Sequence, residues 1–243
     1  PQFTDNAEAR ERLSAIADFR LLHDREIVSR LDDSVARLAD GAPRLLRRAR
    51  GYAPAALLLH RDFAAAPEVV ALGGELKNTV CLLRAARAVP SQHLGDLEDA
   101  RTADEFERTL ALYLDLYRLR PRLLAVDAHP DYRATRFGEQ WSARAGIELL
   151  AVQHHHAHVA SALAEHGRGP CDAPVLGIVL DGLGYGADGG LWGGEFLLAG
   201  YRGCRRLGHI AATPLPGGAR AMLEPWRNTW AQIDAALGWE TFR

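Results

Sequence analysis

Residues 175–181 read Val, Leu, Gly, Ile, Val, Leu and Asp, an unbroken apolar run closed by one carboxylate. A run so short and uniform reads as a fully apolar strand, with Asp181 at its carboxyl end. Residues 182–190 then include five glycines, more than packing alone requires. Residues 191–201 resume as a second strand, kinked at Gly193 and Gly194.

A similar unit stands upstream, where apolar residues 69–72 and 80–83 flank a polar glycine loop at 73–79. Between the two units, Phe106, Leu110, Tyr113, Leu114 and Tyr117 fall at three- and four-residue steps, predicting a helix over 105–119. Strand 123–127, helix 135–145, strand 148–153 and helix 154–165 follow in turn. This alternation, with its two related hairpins, predicts an α/β fold. The first 52 residues differ, with a capped amphipathic helix from Asp5 to Leu13 and short strands at 21–23, 34–38 and 44–48. Asp40, Gly41, Ala42 and Pro43 provide the turn between the last two strands. Residues 54–67 suit a linker or first strand, which places a domain boundary near residue 55. Trp226 and Trp230, one helical turn apart after Pro225, are expected in the core.

At 243 residues, 48% hydrophobic and 25% charged, the chain has the composition of a globular protein of one large or two smaller domains. A net charge of -2 gives no field that would gather nucleic acid or an anionic membrane, so neither is expected as a partner. Cys81, Cys171 and Cys204 form no C-x-x-C pair, which argues against a disulfide framework and a cysteine zinc site. With no long apolar run, the chain is read as cytoplasmic. Its opening on Pro1 reads as a piece of something longer.

Four histidines in five residues carry the strongest chemical signal. In a helix His154 and His158 share a face, so two imidazoles can meet one ion. His155 and His156 point elsewhere and are candidates for proton transfer to or from a substrate. Asp181 could complete the ligand set of a divalent ion, Zn or Fe, with open positions for a phosphate or carbonyl oxygen. Its spacing fits a turn-starting aspartate equally well. Gly182, Gly184 and Gly186 would let backbone amides approach phosphates, with Lys77 as a point charge near a second glycine loop. Asp127, His129 and Tyr132 lie where a strand meets a loop, a usual place for ligand contacts. Arg48 and Arg50, with Ser34, could bind a nucleotide phosphate or form a solvated basic strand.

Residues 73–79, 91–97, 127–132, 153–158 and 181–186 together, and in this order, resemble the HypF family of hydrogenase-maturation carbamoyltransferases. There a YrdC-like domain makes carbamoyl-adenylate from carbamoyl phosphate and ATP. A following domain of the actin-like ATPase superfold, which is ribonuclease H-like, passes the carbamoyl group to the C-terminal cysteine of a partner maturation protein. The thiocarboxamide so formed is the precursor of the cyanide ligands of nickel-iron hydrogenases. The resemblance implies a partial YrdC-like domain over 1–55 and a partial transferase domain over 56–243. It matches His154, His158 and Asp181 to metal ligands, and implies nucleotide contacts at residues that include Lys77 and Asn78. A further aspartate ligand, an acylphosphatase-like region and a zinc-finger region of that family have no counterpart here, so the fragment is not expected to run the whole reaction. Two rival readings are an O-carbamoyltransferase acting on a small-molecule hydroxyl and a non-catalytic nucleotide-binding module that docks a partner.

Overall fold

The computed structural model describes residues 3–238 and 240, so the outer domain bounds at 1 and 243 lie outside the described residues. Near the amino terminus few side chains find cover. Helix α1 (Asn6–Arg12) is capped by the Asp5 carboxylate, which accepts from Glu8 N–H, but buries no residue. Strands β1 (Val35–Ala39) and β2 (Ala42–Arg47) form an antiparallel hairpin. Its two turn residues, Asp40 and Gly41, have φ of 51° and 72°, the left-handed pair that fits the twist of a tight hairpin. The strand expected at 21–23 is absent: Leu21 is fully exposed, and an apolar triplet with nothing to pack on gains nothing from extension.

The main sheet then assembles from β3 (Leu57–Leu58), β4 (Val69–Ala71), β5 (Cys81–Arg84), β6 (Arg87–Pro90), β7 (Leu123–Asp127) and β8 (Glu148–Val152). Its order is β3-β6-β5-β4-β7-β8. β4 pairs antiparallel with β5 but parallel with β7, and β7 is parallel to β8. The parallel steps need crossovers, supplied by helices α2 (Ala100–Leu116) and α3 (Arg133–Ala145). α2 starts before the expected residue 105 because Asp99 caps it, accepting from Thr102 N–H, and it ends ahead of Arg118, whose φ is 47°. Phe106, Leu110 and Tyr113 on α2 pack with Val70, Leu72, Leu82, Leu124 and Val126 of the sheet side, as the helical spacing predicts.

A second, three-stranded sheet has the order β11-β10-β9, built from β9 (Val175–Tyr185), β10 (Leu191–Gly200) and β11 (Gly203–His209). Helix α4 (His154–Glu165) covers one face, where Val159 and Leu163 meet Val179, Leu197 and Ala199. One expectation changes here, and two details of the strands are added or borne out. β9 runs on to Tyr185, because Gly184 and Tyr185 pair with Trp192 and Leu191, so the glycine turn shrinks to 186–190. The uniformly apolar run is not buried on both faces: Gly177 and Val179 turn inward, while Leu176, Ile178 and Leu180 are exposed. The kink at Gly193 and Gly194 is present as a register shift between β10 and β9.

Helices α5 (Arg220–Leu223) and α6 (Trp226–Leu237) follow. Trp226 and Trp230 are 61% and 42% exposed instead of in the core, since α6 buries its Ala231 side. No helix among the described residues is long and apolar enough to cross a membrane.

The α3 contact with β7 depends on a missing side chain. A Cβ on Gly138 would stand 2.5 Å from Val126 Cγ1 and 2.9 Å from Leu72 Cδ1. Gly138→Ala is expected to lower stability by about 1–3 kcal/mol through overpacking, despite alanine's better helix propensity. Urea unfolding checks this; an unchanged midpoint would show that the helix and sheet can separate freely.

Candidate metal and nucleotide site

The two sheets meet at four polar side chains. β7 ends in Asp127, α4 opens with His154 and carries His158 one turn later, and β9 brings Asp181. α4 starts where it does because Gln153 caps it, its side-chain carbonyl accepting from His156 N–H. His154 and His158 then share a face, with ring centroids 4.9 Å apart. His154 Nδ1 lies 2.7 Å from Asp127 Oδ2 and its Nε2 lies 3.0 Å from Asp181 Oδ2. His158 Nε2 is 3.8 Å from the same Asp181 oxygen and 3.3 Å from His154 Nε2.

With Nδ1–H donating to Asp127, His154 presents its Nε2 lone pair to the others. One ligand atom each from His154, His158 and Asp181 lies within 4.8 Å of the rest. Asp181 Oδ2 is buried and accepts no well-aimed hydrogen bond. Two imidazole nitrogens and an orphaned carboxylate oxygen form a donor set that fits a divalent ion, with Asp127 orienting one ligand from behind. The two imidazoles are tuned apart. The Asp127 hydrogen bond, opposed by burial, raises the His154 pKa, whereas burial and then the His154 charge lower that of His158.

The other two histidines do not face this group. His155 is fully buried: its Nε2–H donates to Gly193 carbonyl (3.0 Å), and Gln153 Nε2 lies 3.1 Å from its Nδ1. His156 Nε2 lies 2.7 Å from the Gly200 carbonyl oxygen and donates to it. Both rings therefore fasten α4 to β10, and the Nε2 atoms of His155 and His156, expected to carry protons, are spent on those carbonyls. Gly184 is glycine because a Cβ there would collide with the His155 ring.

Beside the cluster is an aromatic shelf. Asp127 Oδ1 accepts from His129 N–H at 2.8 Å, and the His129 ring stacks on Tyr132 at 4.2 Å with Tyr185 tilted 5.2 Å away. Burial, then the carboxylates of Asp127, Glu75 and Asp181, push the Tyr132 hydroxyl upward and keep it protonated. Sequence reasoning gave no role to Glu75, which is buried and accepts from Arg133 N–H at 2.7 Å, or to Gln153; the one available signal was a helix-capping polar residue directly before the histidines.

Several expected nucleotide contacts are otherwise engaged. Asn78 is buried, and its amide donates to the Leu72 and Gly74 carbonyls, shaping the 73–79 loop from within. Lys77 has an exposed side chain at φ 50°, with its backbone N–H donating to Asp96. Gly182 N–H lies against Asp181, and a Cβ on Gly186 would collide with Trp192. Ser34 bridges Ala49 N–H and the Arg50 carbonyl, Arg48 donates to the carbonyls of Tyr52 and Ala55, and Arg50 pairs with Asp33 at 3.0 Å. These three hold the amino-terminal hairpin and linker together, and none of those bonds reaches the histidine cluster.

Comparison with known proteins supplies the context. A family model described as the HypF Kae1-like domain matches residues 64–165, and one described as the second subdomain of the carbamoyltransferase Kae1-like domain matches 177–243. Carbamoyltransferase HypF of Rhodobacter capsulatus is 49% identical over 236 residues, covering 97% of this chain and 32% of that protein. Carbamoyltransferase HypF2 of Cupriavidus necator is 50% identical over 239 residues, 97% of this chain and 29% of that protein. A crystal structure of full-length HypF in a phosphate- and nucleotide-bound form superposes with a TM-score of 0.86 at 39% identity, over 98% of this chain and 36% of the other. The T. kodakarensis HypF crystal structure gives a TM-score of 0.86 at 36% identity, covering 97% and 30%. The chain thus spans about a third of the length of these relatives.

Asp127→Asn tests the orientation of His154. Zinc affinity is expected to fall roughly 10–100-fold, the usual cost of losing a partner behind a ligand. Because Asp127 raises the His154 pKa, its loss also lets protons compete less, moving the acid limb of zinc binding to lower pH. An unchanged affinity and acid limb in competition titrations would show that Asp127 does not act through His154.

Proposed function

Because the chain belongs to the HypF family, we propose that it holds the carbamoyl-transfer site of a carbamoyltransferase of nickel-iron hydrogenase maturation. Carbamoyl phosphate and ATP give carbamoyl-adenylate in a YrdC-like domain, of which residues 1–55 form the end. The C-terminal cysteine of a partner maturation protein then attacks the carbamoyl carbon as its thiolate. A C–S bond forms, the C–O bond to the adenylate phosphate breaks, and its electron pair leaves with AMP. The product thiocarboxamide is the precursor of the cyanide ligands. The reaction is cytoplasmic and needs neither nucleic acid nor a membrane.

The observation that carries this reading is the convergence of His154, His158 and Asp181 between two sheets, beside an aromatic shelf. A zinc or iron ion held there would supply Lewis-acid polarisation of a phosphate or carbonyl oxygen. Asp127 keeps His154 in the tautomer that leaves Nε2 free, and the flat His129–Tyr132 stack offers a surface for the adenine or ribose. Lys77, whose side chain is exposed, would supply a point charge for a phosphate. No cysteine of this chain need act as nucleophile, and burial pushes the Cys81 thiol up to about 11, far from a reactive thiolate.

The test uses the complete protein with carbamoyl phosphate, ATP and a cysteine-ended partner, read by mass spectrometry. A carbamoyl increment on that cysteine is expected. With both His154 and His158 replaced by alanine, a stoichiometric ion should be lost and transfer should slow by about 100-fold or more. No increment with the unaltered protein would overturn the assignment.

A further inference from the structure

The turn at 186–190 is braced from a direction that its glycines do not reveal. Asp188 Oδ1 accepts from Gly190 N–H at 3.0 Å and from Trp192 Nε1–H at 2.8 Å. The Trp192 indole lies under the Arg206 guanidinium, 4.1 Å from ring centroid to Cζ. Arg206 is itself fixed by a two-pronged bond to Glu195, at 2.6 and 2.8 Å, and Glu195 is 1% exposed. A third arm reaches back, with Arg206 Nη1 3.6 Å from Asp188 Oδ2. The same indole sits 6.2 Å from the His155 ring, which is bound into the first turn of α4. A buried carboxylate paired with a planar, two-pronged cation is among the stiffest supports a side chain can receive.

We propose that Arg206 is a positioning residue for the carbamoyl-adenylate site, acting through Trp192 and Asp188 to hold the 186–190 turn beside Tyr185 and the histidine cluster. The inference rests on the reading of that cleft as the site of carbamoyl transfer. Arg206 touches no substrate. It fixes the indole, the indole fixes Asp188, and Asp188 fixes the turn that follows Tyr185, whose ring lies 5.2 Å from His129 at the edge of the aromatic shelf. Glycine at 186 is what admits the indole so close.

Kinetics of transfer from preformed carbamoyl-adenylate in the complete protein decide the matter. Asp188→Ala alters an exposed turn and leaves the two-pronged bond between Arg206 and the buried Glu195 in place. Its KM for carbamoyl-adenylate is expected to rise about tenfold, the loss of one or two hydrogen bonds, with kcat and melting temperature held. Arg206→Gln should raise KM similarly, and Arg206→Lys should recover part of the loss. Unchanged KM in Asp188→Ala, or a fall in kcat at constant KM, overturns the positioning role. If the unaltered protein transfers nothing from carbamoyl-adenylate, the transfer reading itself fails and this inference with it.

Discussion

The hydrogen bond between His154 and Asp127 is the contact on which the rest of the site depends. Each sheet has an apolar core of its own, one packed by α2 and α3 and the other by α4. Few side chains pass from one to the other. Asp127 closes a strand of the first sheet, and His154 opens the helix that belongs to the second. Joining them sets the imidazole tautomer and brings Asp181 and His158 within ligand distance of the same point. An ion at that point would tie α4 to β9, with the first sheet reaching it only through the Asp127–His154 bond. The free energy of its binding would then become folding free energy of that second layer.

Close approach of backbone layers makes that junction possible, and it is achieved by leaving side chains out. A Cβ on Gly177 would stand 2.5 Å from Val159 Cγ2, so α4 could not lie on β9 without that glycine. Gly184 makes room for His155 in the same way. The glycines of this region therefore divide into two kinds. Gly177 and Gly184 within β9 admit the histidine helix, and those at 186–190 form the tight return to β10.

Much of this was legible in the residues. The three- and four-residue spacing gave α2, apolar runs gave β4, β7 and β9, and the four-residue step between His154 and His158 gave their shared face. What escaped was whatever depends on a neighbour distant in sequence. No local pattern shows that Gly193 and Gly200 carbonyls wait for His155 and His156, so those rings read as free acids and bases. Asn78 looked like a ligand contact because an amide in a glycine loop has the same residue type whether it binds a nucleotide or its own loop. Strands β6 and β11 passed unread, since Arg87–Pro90 is only four residues ending in proline and Gly203–His209 is polar and broken by glycine, and both owe their extension to the strands beside them. Trp226 and Trp230 were misjudged because size and aromaticity say nothing about which side of a helix is covered.

Strand β9 has one further property with a practical side. It pairs with β10 along one edge and stands at the margin of its sheet, and Leu176, Ile178 and Leu180 form an apolar row on its outward face. A strand whose outer backbone edge pairs with no other strand among the described residues, and whose flank is oily, is a template on which a second chain can extend by hydrogen bonds. Prepared as a separate polypeptide, this segment would therefore be limited by self-association before it was limited by unfolding. Charged replacements on that row, away from Asp181, would be the natural means of keeping it in solution.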